Sequence, residues 1–303
     1  MTDSSYQGIL AVDKASGPTS HDVVAQLRRL VGQRRIGHCG TLDPLATGLL
    51  VVCLGRYTRL SQWIMQGEKE YWAVFRLGVT SNTGDADGTL EVVDQVPPPT
   101  IVQVRKGLEQ FVGAIDQVPP AFSALKVNGV RSYRLARQQQ AVKLKSRPVH
   151  IAALELVRYT YPDLEVRMVC SQGTYVRSVA VDLGQLLECG AHVAQLRRTR
   201  IGPLVVERAH TVDQFAAVVE GGKLKNYLIE PQRALGGLAS LVLAEKDQHR
   251  AFVHGNSVML PCPPAAGEDR TYAVYDGQDR LCGIGRWRAE QGHLQPLKVL
   301  QEI

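Results

Sequence analysis

Residues 37–48 read Gly37-His38-Cys39-Gly40-Thr41-Leu42-Asp43-Pro44-Leu45-Ala46-Thr47-Gly48, and the rest of the chain is organised around them. The three glycines reach backbone conformations that are closed to other residues, and Pro44 keeps Asp43 out of helical geometry. The pattern predicts an irregular loop that presents one carboxylate. Two interpretations of Asp43 are open, because an aspartate before proline can be a catalytic group or can form an Asx turn or a helix cap.

An apolar run follows this loop directly. Residues 49–54 read Leu49-Leu50-Val51-Val52-Cys53-Leu54, which has the length and composition of a buried strand. A carboxylate on a stiff loop that is anchored to a core strand has the fixed position that catalysis requires. Asp43 is therefore a candidate catalytic residue.

The composition is that of an ordinary globular protein with a basic surplus. The 303 residues are 45% hydrophobic and 21% charged, enough for one large domain or for a large and a small one. Lys plus Arg exceed Asp plus Glu by 35 to 29, and the isoelectric point near 9.0 suits a polyanionic partner such as nucleic acid.

Cysteine spacing and motifs exclude several classes of protein. The six cysteines form no Cys-x-x-Cys pair, so they indicate neither a zinc ribbon nor a disulfide framework. The chain has no Rossmann fingerprint and no P-loop, and we expect no cofactor. Residues 1–7 lack the features of a signal peptide, and no stretch reaches membrane-spanning length, so we expect a cytoplasmic protein without membrane contact.

Hydrophobic periodicity predicts the elements before the loop. Residues 8–12 read as a strand that leads into a turn at Asp13-Lys14. A helix then runs from a cap at Thr19 or Ser20 to a stop at Gly32.

A strand after the loop points an aromatic residue inward. Residues 69–78 alternate so that Tyr71 shares one face with Ala73, Phe75 and Leu77. The pattern alone makes Tyr71 one more core aromatic residue.

Two carboxylates, Asp85 and Asp87, lie in the loop of residues 80–88. Such a pair can suggest a metal site, but the loop lacks the further ligands and the spacing of a calcium site. We expect no metal.

A basic segment spans residues 126–147. It contains Tyr133 and no acidic residue, and its cations are Lys126, Arg131, Arg134, Arg137, Lys143, Lys145 and Arg147. A cationic segment with an interleaved aromatic residue is suited to lie along a phosphate backbone, although a solvated loop is the alternative.

Arg177 lies in an unfavourable place for a cation. After two strands at 149–159 and 164–170, a turn leads into a helix whose first turn contains Arg177, where its charge opposes the helix dipole. An external carboxylate partner is the natural explanation.

A second, smaller unit is predicted at the C-terminal end. Short strands at 240–243, 257–260, 272–275, 280–287 and 294–299, separated by turn signals, suggest a small β-barrel-like module. We divide the chain into residues 1–236, with a basic insertion at about 119–148, and residues 237–303.

The twelve-residue loop resembles the catalytic motif of bacterial TruB-type tRNA pseudouridine synthases. The resemblance is dense over residues 8–200 and thinner beyond them. Cys39 departs from the family, which usually has a small residue or threonine there, but cysteine is itself small. The family isomerises uridine 55 of the tRNA T loop to pseudouridine, with the aspartate that matches Asp43 as nucleophile.

The same resemblance implies roles for other residues. Tyr71 matches the active-site tyrosine, and Arg177, in Gly173-Thr174-Tyr175-Val176-Arg177, matches the arginine that pairs with the catalytic aspartate. Expected substrate contacts come from Lys14, His38, Asp85, Lys126, Arg131, Tyr175 and Leu196. The basic insertion corresponds to an RNA-gripping thumb, and residues 237–303 to a PUA-like RNA-binding domain.

The implied fold is α+β, a large mixed, mostly antiparallel sheet with flanking helices and a small C-terminal β module. The implied partner is the T arm of tRNA, and we expect a monomer. The residues are compatible with attack by Asp43 on either C1′ or C6, and with or without help from Tyr71 in removing the C5 proton.

Two rival functions have discriminating features. An aspartyl phosphotransferase needs a second carboxylate two residues after its nucleophile, and Leu45 is there instead. A non-catalytic RNA-binding factor would be expected to lack Asp43, Tyr71 or Arg177, and all three are present.

Overall fold

The computed structural model describes residues 6–123, 125–127, 129–138, 144–260 and 268–300. Within these ranges the strands are β1 Gly8–Lys14, β2 Ile36–His38, β3 Thr47–Leu54, β4 Lys69–Leu77, β5 Val79–Ser81, β6 Leu90–Val92, β7 Gly113–Gln117, β8 Lys126–Val127, β9 Val130–Arg131, β10 Arg147–Thr160, β11 Asp163–Cys170, β12 Ala191–Ile201, β13 Leu204–Val205, β14 Ala239–Leu243, β15 Val258–Met259, β16 Arg270–Asp276, β17 Leu281–Arg288 and β18 His293–Val299. The helices are α1 Ser20–Val31, α2 Ser61–Met65, α3 Ile101–Glu109, α4 Ser132–Arg137, α5 Val176–Leu186, α6 Val212–Glu220, α7 Pro231–Ala234 and α8 Lys246–Val253, with 3₁₀ turns at Gly55–Leu60, Val206–Arg208 and Leu224–Tyr227.

Helix α1 begins and ends where local chemistry predicts. Thr19 is the N-cap and forms a capping box with Asp22, which satisfies free amide groups of the first turn. Gly32 ends the helix with a left-handed φ of 67°, a conformation that glycine adopts without strain. The helix places Ser20 beneath the Asp43 loop.

A large mixed sheet carries the loop. Its strand order is β1-β3-β12-β4-β11-β10-β7, with β2 paired to β3 and β13 paired to β12. The neighbours are antiparallel except β3 and β12, which run parallel and pair at Thr47 with Arg197 and at Gly48 with Arg198. The predicted mostly antiparallel sheet is confirmed, and its one parallel pair lies where the Asp43 loop enters β3.

The predicted core faces are confirmed. Residues 48–54 of β3 are all buried, as expected for the apolar run. Tyr71, Ala73, Phe75 and Leu77 of β4 belong to one hydrophobic cluster, together with Leu196 of β12.

A second sheet contains the C-terminal strands in the order β14-β16-β17-β18-β15. A hydrophobic cluster joins it to the large sheet, because Ala273, Leu281 and Ile284 pack in the same cluster as Leu49 and Trp63. The division of the chain at residue 236 stays a prediction. No helix in the described ranges is long and apolar enough to cross a membrane.

Candidate active site

The Asp43 loop is an irregular turn with close backbone contacts. The Ala46 N–H donates to the Asp43 carbonyl at 3.1 Å, and the Gly17 N–H donates to the Pro44 carbonyl at 2.9 Å. Gly48 has a φ of 96°, and a Cβ atom there would lie 2.3 Å from the Arg198 carbonyl oxygen. Only glycine fits this junction between loop and strand.

Two buried side chains hold the loop from below. The Ser20 hydroxyl accepts from the Leu42 N–H at 2.8 Å and donates to the Leu42 carbonyl at 3.0 Å. The Lys14 ammonium donates to the carbonyls of Ala46 at 2.6 Å, Ala15 at 2.8 Å and Pro44 at 3.1 Å.

Lys14 is only 1% exposed, and burial lowers the pKa of its ammonium group to about 8. All three hydrogen bonds of its ammonium go to backbone carbonyls. Because the ammonium group is already bound to backbone carbonyls, this geometry favours a positioning role for Lys14 over the substrate contact that we expected.

Arg177 pairs with Asp43 as expected. Its Nε lies 2.9 Å from Asp43 Oδ2, and its Nη2 donates to Oδ1 at 3.1 Å. The Asp43 side chain keeps 31% of its surface exposed, whereas Arg177 keeps 5%. The carboxylate is therefore partly exposed, and the guanidinium that holds it is buried. The turn-or-cap interpretation of Asp43 is wrong, because Arg177 supplies its side-chain contacts and the element that follows is strand β3.

Arg177 is itself fixed by three other groups. Its Nη1 lies 3.4 Å from Asp85 Oδ2 and donates to the Thr83 carbonyl at 3.0 Å, while Nη2 donates to the Phe122 carbonyl at 3.0 Å. Asp85 is 4% exposed and also accepts from the Thr83 hydroxyl at 2.6 Å. This burial favours Asp85 as a second counter-ion of Arg177 rather than a direct substrate contact.

The net shift of the Asp43 pKa is opposite to the one that Arg177 alone would give. Burial raises the pKa of the Asp43 carboxyl, the charge and hydrogen bond of Arg177 oppose this, and the charges of Asp85 and Asp87 raise it further. Asp43 is thus a carboxylate held in a costly ionised state.

Tyr71 and Leu196 line the same buried cluster beside this pair, and each is 7% exposed. Burial raises the pKa of the Tyr71 phenol, and the charge of Arg198 opposes the shift. At neutral pH the phenol therefore keeps its proton.

Arg198 is a residue that sequence reasoning missed. It is 1% exposed and donates from Nε to the Leu49 carbonyl at 2.8 Å and from Nη2 to the Gly40 carbonyl at 3.1 Å. It pairs with Tyr71 across β12 and β4. In the sequence it is one of several arginines in residues 197–200, and no local signal distinguishes it.

His38 lies at the end of β2, half-buried, with the His21 ring edge-on at a centroid distance of 5.1 Å. Burial, then the charges of His21 and Arg198, lower the pKa of His38 to about 4, so its imidazole is neutral. Its buried Nδ1 has no hydrogen-bond partner within the described ranges.

Tyr175 stands at the start of α5 and is held through its backbone. The buried Gln117 accepts from the Tyr175 N–H at 2.8 Å and donates to its carbonyl at 3.0 Å. Arg147 stacks on the Tyr175 ring with its Cζ 4.9 Å from the ring centroid, and its Nη2 donates to the Gly173 carbonyl. Arg147 therefore supports the active-site turn instead of extending into the basic segment.

The basic segment is described in part. The side chains of Lys126, Arg131 and Arg137 lie outside the described part of the structure, as does Lys143, so the contacts expected of Lys126 and Arg131 stay predictions. Arg134 and Lys145 are exposed to solvent.

One group of potential metal ligands converges in the described ranges, with His249 on α8, Asp276 on β16 and Cys282 on β17. Ligand atoms of His249, Asp276 and Cys282 lie within 4.8 Å of one another. Asp276 already accepts from the Gln278 N–H and the Arg280 side chain at 2.9 and 2.8 Å. Next to Asp43, Arg177 holds the position that a cation would take between Asp43 and Asp85.

Comparison with known proteins places this geometry in a family. Residues 28–176 match the model of the TruB family pseudouridylate synthase N-terminal domain, and residues 177–233 match the tRNA pseudouridylate synthase B C-terminal domain. A tRNA pseudouridine synthase B from Burkholderia mallei (strain NCTC 10247) is 40% identical, covering 99% of each chain. The protein belongs to the TruB family. Another relative, from Pseudomonas paraeruginosa, is 38% identical, covering 98% of this chain and 97% of its own.

Solved structures agree with the TruB-family assignment. A Cbf5-Nop10-Gar1 complex contains a chain that superposes with a TM-score of 0.76 at 25% identity, covering 97% of this chain and 85% of that chain. The Nop10-Cbf5 complex of an archaeal box H/ACA sRNP gives 0.74 at 24% identity. The expected pseudouridine synthase fold is confirmed.

Family membership settles the class of activity. The protein is a tRNA pseudouridine synthase, an RNA-modifying isomerase. The phosphotransferase alternative is therefore excluded.

Proposed function

We propose that this enzyme isomerises uridine 55 in the T loop of tRNA, with Asp43 as the nucleophile. The observation that carries the proposal is the pair formed by a partly exposed carboxylate and a buried arginine that is held by four acceptor groups. A fixed anion beside an apolar wall is what the chemistry needs, since no redox partner or group carrier takes part.

The reaction moves uracil from an N1 to a C5 linkage on the same ribose. The N1–C1′ bond breaks, the ring turns, a C5–C1′ bond forms, C5 loses its proton and N1 gains one. Asp43 attacks either C1′ or C6, and both routes need the ionised carboxylate. Arg177 orients that carboxylate and opposes the cost of its burial.

The target base has to leave its stack to reach Asp43. Tyr71 offers an aromatic face to the extruded base, and Leu196 offers an apolar wall. His38 is a half-buried, neutral imidazole beside the Asp43 loop, and we assign it to the displaced RNA beside the target nucleotide.

RNA binding is assigned to two regions. The exposed cations of the basic segment are suited to the phosphate backbone of the T arm. Residues 237–303 would act as a PUA-like RNA-binding domain. We further propose that the protein is a cytoplasmic monomer. We expect it to need neither metal nor cofactor, because the isomerisation is redox-neutral and intramolecular.

Asp43→Asn tests the proposal. Asparagine keeps the shape of the side chain but cannot act as an anionic nucleophile, so pseudouridine formation should be lost while tRNA binding stays close to wild type. The rate is measured as single-turnover tritium release from tRNA that contains [5-³H]uridine, with the product site mapped, and affinity by filter binding.

Asp163→Asn is a matched control, because it also removes a carboxylate from an arginine pair, with Arg76 Nε at 2.9 Å, but on an exposed surface. It should keep the wild-type rate. A folded Asp43→Asn variant that releases tritium at that rate would remove Asp43 from the mechanism. Product at a uridine other than 55 would refute the assigned site.

A further inference from the structure

Arg198 is an unusual buried cation. Its guanidinium group is 1% exposed and donates to three backbone carbonyls, those of Leu49 at 2.8 Å, Gly40 at 3.1 Å and Thr41 at 3.4 Å. Within the described ranges no carboxylate forms an ion pair with it. Burial of a charge without an opposite charge is costly, and a protein keeps such a group where it serves a purpose.

The acceptors of Arg198 show what it joins. Gly40 and Thr41 belong to the loop that carries Asp43, and Leu49 lies at the start of β3. On the other side, Arg198 pairs directly with Tyr71 of β4. Arg198 therefore connects the Asp43 loop, through its side chain, to the strand position opposite Tyr71.

The chemistry of the guanidinium group fixes the direction of the Tyr71 hydroxyl. Tyr71 is the cross-strand neighbour of Arg198, and a guanidinium has only donors, so towards Arg198 the phenol oxygen of Tyr71 can only accept. The single O–H of Tyr71 is then directed elsewhere, and no group in the described ranges accepts it. An extruded uracil offers two carbonyl oxygens that can.

We propose that Arg198 is a positioning residue that locks the Asp43 loop against β4 and makes the Tyr71 hydroxyl a hydrogen-bond donor to the extruded uracil. The inference rests on the proposed function, because it takes uracil beside Asp43 as the substrate. In this arrangement Tyr71 contributes a neutral O–H to the extruded base.

The first test separates positioning from RNA binding. Arg198→Lys keeps the charge but cannot reach all three carbonyls, and Arg198→Met removes the charge. We expect single-turnover rates about 100-fold lower for Arg198→Met, with an intermediate loss for Arg198→Lys and tRNA affinity within about 3-fold of wild type. Arg200→Lys and Arg200→Met change the same residue type on the same strand, where its Nε faces Glu70 at 3.8 Å, and serve as controls.

Rates near wild type in both Arg198 variants, or an affinity loss as large as the rate loss, would overturn the positioning role. If Arg198→Met does not fold, Arg198→Lys alone decides. A wild-type enzyme without tritium release would instead refute the proposed function.

The second test asks whether Tyr71 donates. Replacement of Tyr71 by 2,3,5-trifluorotyrosine makes the phenol far more acidic with little change in shape. A donor must keep its proton, so the rate should fall with rising pH at a lower pH than in wild type. A rate that rises through this titration would mean that the phenolate is the active form. That result, or a profile unchanged from wild type, would overturn the donor role.

Discussion

Asp43 is held in a state that its environment opposes. Burial raises the pKa of its carboxyl in the folded protein, so the folded state binds this proton more tightly than the unfolded chain does. The stability of the protein therefore falls as pH rises from the ordinary aspartate pKa of 3.8 through the raised value. At neutral pH the ionised carboxylate lowers the stability of the folded protein, and the proposed mechanism requires this ionised form.

We predict that Asp43→Asn unfolds at the same temperature as wild type or higher at pH 7. The amide carries no charge to desolvate, and Arg177 keeps Asp85 and two carbonyls as partners. The difference in unfolding temperature between Asp43→Asn and wild type should shrink below pH 4, where Asp43 becomes protonated in both the folded and the unfolded protein. Thermal melts across this range measure it, and a variant that melts well below wild type at pH 7 would contradict it.

The residues that act through side-chain chemistry were predictable, and those that act on the backbone were not. Asp43 and Arg177 are 134 positions apart, yet a carboxylate in a rigid loop and a cation opposing a helix dipole each indicate an absent partner. Arg198 and Gln117 bind backbone groups, and the sequence contains no pattern that predicts such a contact. The expected roles of Lys14 and Asp85 changed because only the structure shows that they are buried.

At the level of elements, the junction between the Asp43 loop and β3 depends on glycine. Gly48 and Gly17 have similar positive φ angles of 96° and 105°, but only a Cβ at Gly48 meets another atom, the Arg198 carbonyl oxygen at 2.3 Å. Backbone strain and steric conflict can thus be separated with one pair of variants.

We predict that Gly17→Ala costs about 1–2 kcal/mol of unfolding free energy, the cost of a positive φ, and that Gly48→Ala costs clearly more. Gly48→Ala has to push β12 away from β3 and should also slow the reaction. Denaturant unfolding and single-turnover assays measure both effects. Equal losses of unfolding free energy in the two variants would mean that the close approach of β3 and β12 adds no steric cost at Gly48.

Periodicity located the long elements well because each buries one face. The helix of residues 20–31 and the strands at 147–160 and 163–170 follow the apolar pattern. The short strands β2, β5, β6 and β13 have two or three residues, too few to show a period. The parallel pairing of β3 with β12 depends on tertiary contacts that no local window contains.

Across the whole molecule, the C-terminal strands complete a core that begins at the N-terminus. Leu281 and Ile284 of β17 share a cluster with Leu49 and Val51 of β3. We predict that removal of residues 237–303 lowers the melting temperature and weakens tRNA binding, while folded protein keeps some turnover at saturating tRNA. A truncated protein that melts like the full chain would show that this cluster contributes little.

The exposed cations of the basic segment give a prediction for salt. Replacement of Arg134 and Lys145 by alanine should reduce the slope of log affinity against log salt by roughly 0.7–0.9 for each phosphate group that the variant no longer binds. Lys223 and Lys225 are exposed outside this segment, and their double alanine variant matches the change in net charge. Equal slopes for the two double variants would contradict a role of the segment in gripping RNA.

The parallel pairing of β3 with β12 also affects the order in which the enzyme folds during its synthesis. Arg198 and its acceptor Leu49 are 149 positions apart, so on a ribosome the Asp43 loop is synthesised long before the side chain that locks it. Contacts of such sequence separation form late, because a long loop has to close first. The nascent chain thus contains the proposed nucleophile before the contacts that fix its position, and we expect activity only after strand β12 has folded.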